Sequence, residues 1–186
     1  MLKLEKLCNC DDACGLLPDH HHMLPSGDQL TSVCMKAAEQ GSATGQYVLG
    51  IIYAEGLETP RNDCKAVELF QLAADQGVAG AQCYLGAMYA NGRCVAQDYY
   101  KAVELFQKAV DQGDATAQFN LGTMYYTGHG VSQNYSTAAE LFQKAAEQGH
   151  MIAQRELGLM YEEGRGVPRD ERMAAEWRQK AAEHHA

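Results

Sequence analysis

Positive charge is scarce in this 186-residue chain: 15 Lys and Arg stand against 24 Asp and Glu, for a formal net charge of −9. Nucleic-acid binding depends largely on Lys and Arg neutralising phosphates, and no basic run offsets the deficit. A nucleic-acid or anionic-membrane surface is therefore excluded. Long apolar runs are also missing. The opening stretch MLKLEKLCNCDDACG carries five charges within its first twelve residues, Lys3, Glu5, Lys6, Asp11 and Asp12. A secretory leader needs roughly 7–15 uninterrupted apolar residues, and no segment approaches the ~18 of a membrane span. A cytoplasmic protein without membrane insertion is expected.

Catalytic signatures are absent too. The chain holds no G-x-S-x-G, no P-loop and no H-E-x-x-H, motifs that place a nucleophile, a phosphate cradle or a metal pair. His129 and His150 have no obvious nucleophile near them in the pattern. The expectation is a protein that is not an enzyme and has no cofactor.

The seven cysteines lack the regular placement of a disulfide scaffold. Cys64 stands alone in its stretch, Cys83 and Cys94 share the next, and none follows. Reduced, mostly buried thiols are expected. The one grouping with metal-ligand character is Cys8, Cys10 and Cys14 followed by His20, His21 and His22. Its spacing matches no standard zinc arrangement, since zinc needs four ligands converging in a tetrahedron. A structural role is preferred, and a metal- or redox-responsive cap is the alternative.

What is present is repetition. The dipeptide Gln-Gly ends at Gly41, Gly77, Gly113 and Gly149, always 36 residues apart. Such a period marks a solenoid of one stacked supersecondary unit. It divides the chain into a half repeat at 29–41 and repeats at 42–77, 78–113, 114–149 and 150–185. Residues 1–28 read as a divergent N-terminal capping helix and loop. The fourth copy, 150–186, reads as the C-terminal cap, because Arg178 stands where Phe70, Phe106 and Phe142 stand earlier.

Each copy reads as two helices. Leu49, Ile52 and Tyr53, with their counterparts Leu85, Met88 and Tyr89, Leu121, Met124 and Tyr125, and Leu157, Met160 and Tyr161, share one helical face. Glycines 56, 92, 128 and 164 stop the first helix. Asn62, Asp98, Asn134 and Asp170 cap the second. The glycines inside the first helix (Gly50, Gly86, Gly122 and Gly158) each cost about 0.5–1 kcal/mol relative to Ala. Paid four times, that cost implies a helix approach too close for a Cβ, with facing alanines across it. The recurring Glu68, Glu104, Glu140 and Glu176 read as a solvated face, three of them with a Lys at i+4.

The pattern A-x-x-x-L-G-x-M-Y-x-x-G-x-G-V followed by A-x-x-x-F-x-K-A-A-x-x-G, as in AQFNLGTMYYTGHGV and AAELFQKAAEQG, resembles the Sel-like repeat (SLR) family, relatives of the tetratricopeptide repeats. The resemblance covers about 29–185. It departs at Leu57 to Pro60, which lack the second loop glycine and its valine, at Cys94, which replaces that glycine, and at Arg178. It implies an all-α fold, a right-handed superhelix of four helical hairpins plus an N-terminal half repeat and cap. It also implies a non-catalytic scaffold binding a protein or peptide in its concave groove.

The residues expected on that wall are the outward positions of the first helices. Two places before each Leu stand Tyr47, Cys83, Phe119 and Arg155; two places after stand Ile51, Ala87, Thr123 and Leu159. Beyond the Tyr come Asn91 in the second copy, Tyr126 and Thr127 in the third, and Glu162 and Glu163 in the fourth. Aromatic residues on an exposed wall point to a partner, and the acidic end suits a basic one.

Overall fold

Caps set the helix boundaries. In a computed structural model the residues described are 27–57 and 59–183, and they contain nine helices and no strand. The chain divides into two compact units, 1–97 and 98–186. The first holds α1 (Gly27–Glu39), α2 (Ala43–Glu55), α3 (Asp63–Asp75) and α4 (Ala79–Asn91). The second holds α5 (Tyr99–Val110), α6 (Ala115–Thr127), α7 (Tyr135–Glu147), α8 (Met151–Glu163) and α9 (Glu171–Glu183). Within each unit, consecutive helices pack on one another.

The four expected caps all form. Asn62 accepts from the Lys65 N–H at 3.1 Å, Asp98 from Lys101 at 3.0 Å and Asn134 from Thr137 at 3.1 Å. Asp170 accepts from Arg172 and Met173 at 2.9 and 3.0 Å. Each bond satisfies a backbone donor that the first helical turn leaves open. At the other end, Gly56, Gly92, Gly128 and Gly164 adopt left-handed φ of +66 to +78°, a conformation that costs an L-residue about 1–2 kcal/mol.

Gly50 and Gly122 do mark close approaches, but their nearest neighbour is a ring and not the expected alanine; only Gly158 faces one, Ala174. A Cβ on Gly50 would lie 2.6 Å from the Phe70 ring, and one on Gly122 would lie 2.7 Å from the Phe142 ring. In the last hairpin Arg178 replaces that phenylalanine, and a Cβ on Gly158 would meet the Ala174 carbonyl oxygen and the Arg178 Cγ at 3.3 Å, a looser but still tight approach. At Gly50 and Gly122 the ring of the second helix thus sits against the bare backbone of the first. Phe70, Phe106, Leu85, Met88, Leu121 and Leu157 are fully buried. Tyr53 is buried, whereas Tyr89, Tyr125 and Tyr161 are only half-buried. The recurrent glutamates are all exposed. Glu104 pairs with Lys108 at 2.6 Å as expected, while Glu176 pairs with Arg172 and Lys180 lies over the Trp177 ring instead.

Candidate functional site

In the first unit, Tyr47 is half-buried and Cys83 is 2% exposed. Tyr47 lies edge-on to Tyr84 at 6.0 Å, and Tyr84 stacks on Phe70 at 4.8 Å. Gly80 at the start of α4 leaves room for the Tyr47 ring, where a Cβ would come within 2.5 Å of its hydroxyl. In the second unit, Phe119 is 7% exposed, stacked on His150 at 4.8 Å and tilted against Phe142 at 5.4 Å. Cys83 and Phe119 therefore do not face outward, and Tyr47 does so only in part. Within each unit the earlier first helix, α2 or α6, meets the start of the later one, α4 or α8, and Tyr47 and Phe119 point into that joint.

Other predicted wall residues retain surface. Ile51 and Ala87 are half-buried and Asn91 is exposed in the first unit; Thr123 and Tyr126 are half-buried and Thr127, Arg155 and Leu159 exposed in the second. The donors of Asn91, Thr123 and Thr127 bond to backbone carbonyls one turn back, which leaves their oxygens to accept.

A seam that the sequence reading missed runs beside these residues. The loops after α4, α6 and α8 each tie to the start of the preceding second helix, 30 residues back. Arg93 grips Asp63 with two bonds of 2.8 and 3.1 Å. His129 stacks on Tyr99 at 4.5 Å. Arg165 lies over the Tyr135 and Tyr126 rings at 5.4 and 5.6 Å and donates to the Tyr126 hydroxyl. One geometric joint is thus closed by an ion pair, a ring stack and a cation–π contact. Hydrogen bonds from Arg93 and Arg61 hold the Asp63 carboxyl well below the usual carboxylate range.

At the next position of the same joint, Gly130 and Gly166 approach the backbone of Tyr99 and Tyr135. There Cys94 is bonded to Cys64, with the Cα atoms 5.1 Å apart. This corrects the expectation of reduced thiols for that pair, and both members are exposed rather than buried. Cys34 and Cys83 are buried, as expected. The Cys8, Cys10, Cys14, His20, His21 and His22 cluster lies outside the described residues. Among the described residues no three His, Cys, Asp or Glu are placed to hold a metal ion.

A buried glutamine column was also missed, although it recurs at the 36-residue period as Gln46, Gln82, Gln118 and Gln154. Gln46 and Gln118 accept from Gln76 and Gln148 at 2.7 and 2.8 Å. Gln154 donates to the Ala146 carbonyl at 3.1 Å, but its own oxygen has no partner among the described residues. Gln154 lines a cavity of about 310 Å³ with Trp177, whose buried indole N–H likewise has no partner among the described residues. The position one period after Gln148 is His184, outside the described residues.

The Sel1 repeat matches four times, over residues 43–78, 79–114, 115–150 and 152–185. The chain belongs to the Sel1 repeat family. Its all-α architecture is that of an SLR solenoid, as the motif spacing led us to expect. No curated relative matches it in sequence. Among solved structures it is similar to a protective antigen of uropathogenic Escherichia coli strains displaying an SLR fold, at 42% identity and a TM-score of 0.77 over 84% of this chain and 33% of that one. A Sel1 repeat protein from Oxalobacter formigenes is 32% identical, with a TM-score of 0.76 over 89% of this chain and 48% of that one. Helicobacter pylori cysteine rich protein B is 26% identical, with a TM-score of 0.53 over 69% and 95%. The chain thus spans about a third and about a half of the first two. Sel1 repeat proteins are generally protein-interaction scaffolds without catalytic activity. No described helix of this Sel1 repeat protein is long and apolar enough to cross a membrane.

One joint of this Sel1 repeat array is expected to respond to protons. His150 caps α8 through Nδ1, which accepts from the Ala153 N–H at 3.2 Å, so the imidazole must be neutral for the cap to form. Burial lowers its pKa below the ordinary 6.5. The unfolded chain therefore takes up the proton first, and stability falls as the pH drops below about 6.5 and through the lower folded value. Thermal unfolding at pH 7 and pH 5 should show a larger loss for the wild type than for His150→Asn, which keeps a cap without titrating. Equal losses would remove His150 as the cause.

Proposed function

We propose that this Sel1 repeat protein is a non-catalytic scaffold holding a protein or peptide partner along the exposed side of its first helices. The observation that carries this reading is Leu159. The other first-helix leucines, Leu49, Leu85, Leu121 and Leu157, are buried, whereas Leu159 on α8 is 41% exposed and has no role in the hairpin core. Arg155 one turn earlier on α8, and Thr123, Tyr126 and Thr127 on α6, add hydrogen-bonding and aromatic surface to the second unit. Ile51, Ala87 and Asn91 offer a smaller counterpart in the first. The net charge of −9 favours a partner segment carrying basic residues. Tyr47, Cys83 and Phe119 hold the helices that present this surface.

Photo-crosslinking tests the reading directly. A photoreactive phenylalanine replaces Leu159 in one variant and Glu104, on a second helix, in the other. Both are exposed in cells that make the protein. Partner adducts at 159 and not at 104 are expected. The opposite pattern would move the working surface to the second helices and overturn the proposal.

A further inference from the structure

We propose that Cys64 and Cys94 form an oxidation-installed lock on the first unit, and that this protein matures and works in an oxidising compartment rather than in the cytoplasm. The bond joins the first turn of α3 to the loop that follows α4. It closes a loop containing the rest of α3 and all of α4, so it restricts the unfolded chain much more than a local link would. Their neighbours Asp63 and Arg93 are already paired side by side. That ion pair holds the two segments in register and brings the thiols together before any bond forms.

Cys94 is in the wrong place for a cysteine without a bond. Its φ is +58°, the only positive φ of a non-glycine among the described residues. The corresponding positions in the next two copies are Gly130 and Gly166, at +69° and +74°. A side chain in the left-handed region carries a steric cost that glycine avoids, and a free thiol recovers none of it. A disulfide does. The chemistry is an exchange with a dithiol oxidoreductase in its disulfide form: the Cys94 thiolate attacks one sulfur of that disulfide, and the Cys64 thiolate then displaces the carrier from the mixed disulfide. The two protein thiols lose two protons and two electrons, and the carrier leaves as a dithiol. Both cysteines are exposed and open to such a carrier, whereas Cys34 and Cys83 are buried. In a compartment that keeps thiols reduced, an exposed bond of this kind would not persist.

The experiment has two arms. In the first, cells making the full chain are lysed into acid and alkylating agent, and proteolytic peptides are weighed. A peptide pair linked through Cys64 and Cys94 should dominate; finding both residues alkylated in the native protein would overturn the proposal. In the second, purified wild type is melted with and without reductant beside the double variant Cys64→Ser, Cys94→Gly, which copies Ser136 and Gly166. Reduction should lower the wild-type Tm by roughly 5–15 °C and leave the variant unmoved. The variant should also match or exceed the reduced wild type, since glycine removes the strain at 94. A wild-type Tm indifferent to reductant would show that the bond locks nothing.

Discussion

Phe70→Ala is expected to cost about 3–5 kcal/mol, the range for truncating a fully buried phenylalanine, and to lower the Tm by roughly 10 °C. The ring is completely buried, stacks on Tyr84 at 4.8 Å and lies across the bare backbone of Gly50. Its removal opens a void between α2, α3 and α4. The more telling result is the coupling with Gly50. Alone, Gly50→Ala places a methyl 2.6 Å from the ring and should destabilise by about 1–3 kcal/mol through overpacking. In the Phe70→Ala background the same substitution meets no ring, and it should be neutral or stabilising by up to ~1 kcal/mol, the helix preference for Ala over Gly. A double-mutant cycle by thermal or urea unfolding measures the difference. If Gly50→Ala costs the same in both backgrounds, the ring is not what excludes a side chain at position 50.

This pairing of a glycine with a ring was half legible in the sequence. Four mid-helix glycines in register say that something comes close, and they say so without a partner's name. Alanines recur opposite them, but at Gly50 and Gly122 a phenylalanine ring makes the contact, and only Gly158 meets an alanine, Ala174. The hairpins, their caps and their stops were readable because each depends on residues within one turn: Asn62 reaches Lys65, and Gly56 ends α2. The wall was less readable. Helical spacing fixes where Phe119 points relative to Leu121 and Tyr125, but it says nothing of the next first helix, whose N-cap His150 lies against its ring. Cys64 and Cys94 escaped for a related reason. Comparing the same place in successive copies makes each look solitary, because the joint links different places, 30 residues apart, in adjacent copies. Arg93 with Asp63 and Arg165 with Tyr135 follow that offset, so scanning for pairs at 30 rather than 36 residues would have exposed the seam.

The seam makes a strong prediction in the second unit, where Gly130→Cys should be among the most damaging single substitutions. Gly130 has φ +69°, and a Cβ there would lie 2.6 Å from the Tyr99 carbonyl oxygen. That neighbour is the backbone of the first residue of α5, so it cannot swing aside as a side-chain end would. The left-handed conformation and the clash together should cost about 2–4 kcal/mol, a fall in Tm of roughly 5–15 °C. Yet the first unit accommodates a cysteine at the same place in the joint, tied to Cys64. Tyr100 occupies the position of Cys64 and is 79% exposed, so Tyr100→Cys removes little buried contact. The double variant should therefore be as unstable as Gly130→Cys when reduced. Oxidised, it should recover most of the loss, because the new bond would span the same 30 residues as the native one. Melting curves with and without reductant, with thiol counting to confirm closure, decide the matter. A harmless Gly130→Cys would show that the approach to Tyr99 imposes no constraint. A double variant that fails to close in a thiol–disulfide exchange buffer would show that the joint does not hold these two positions as it holds Cys64 and Cys94.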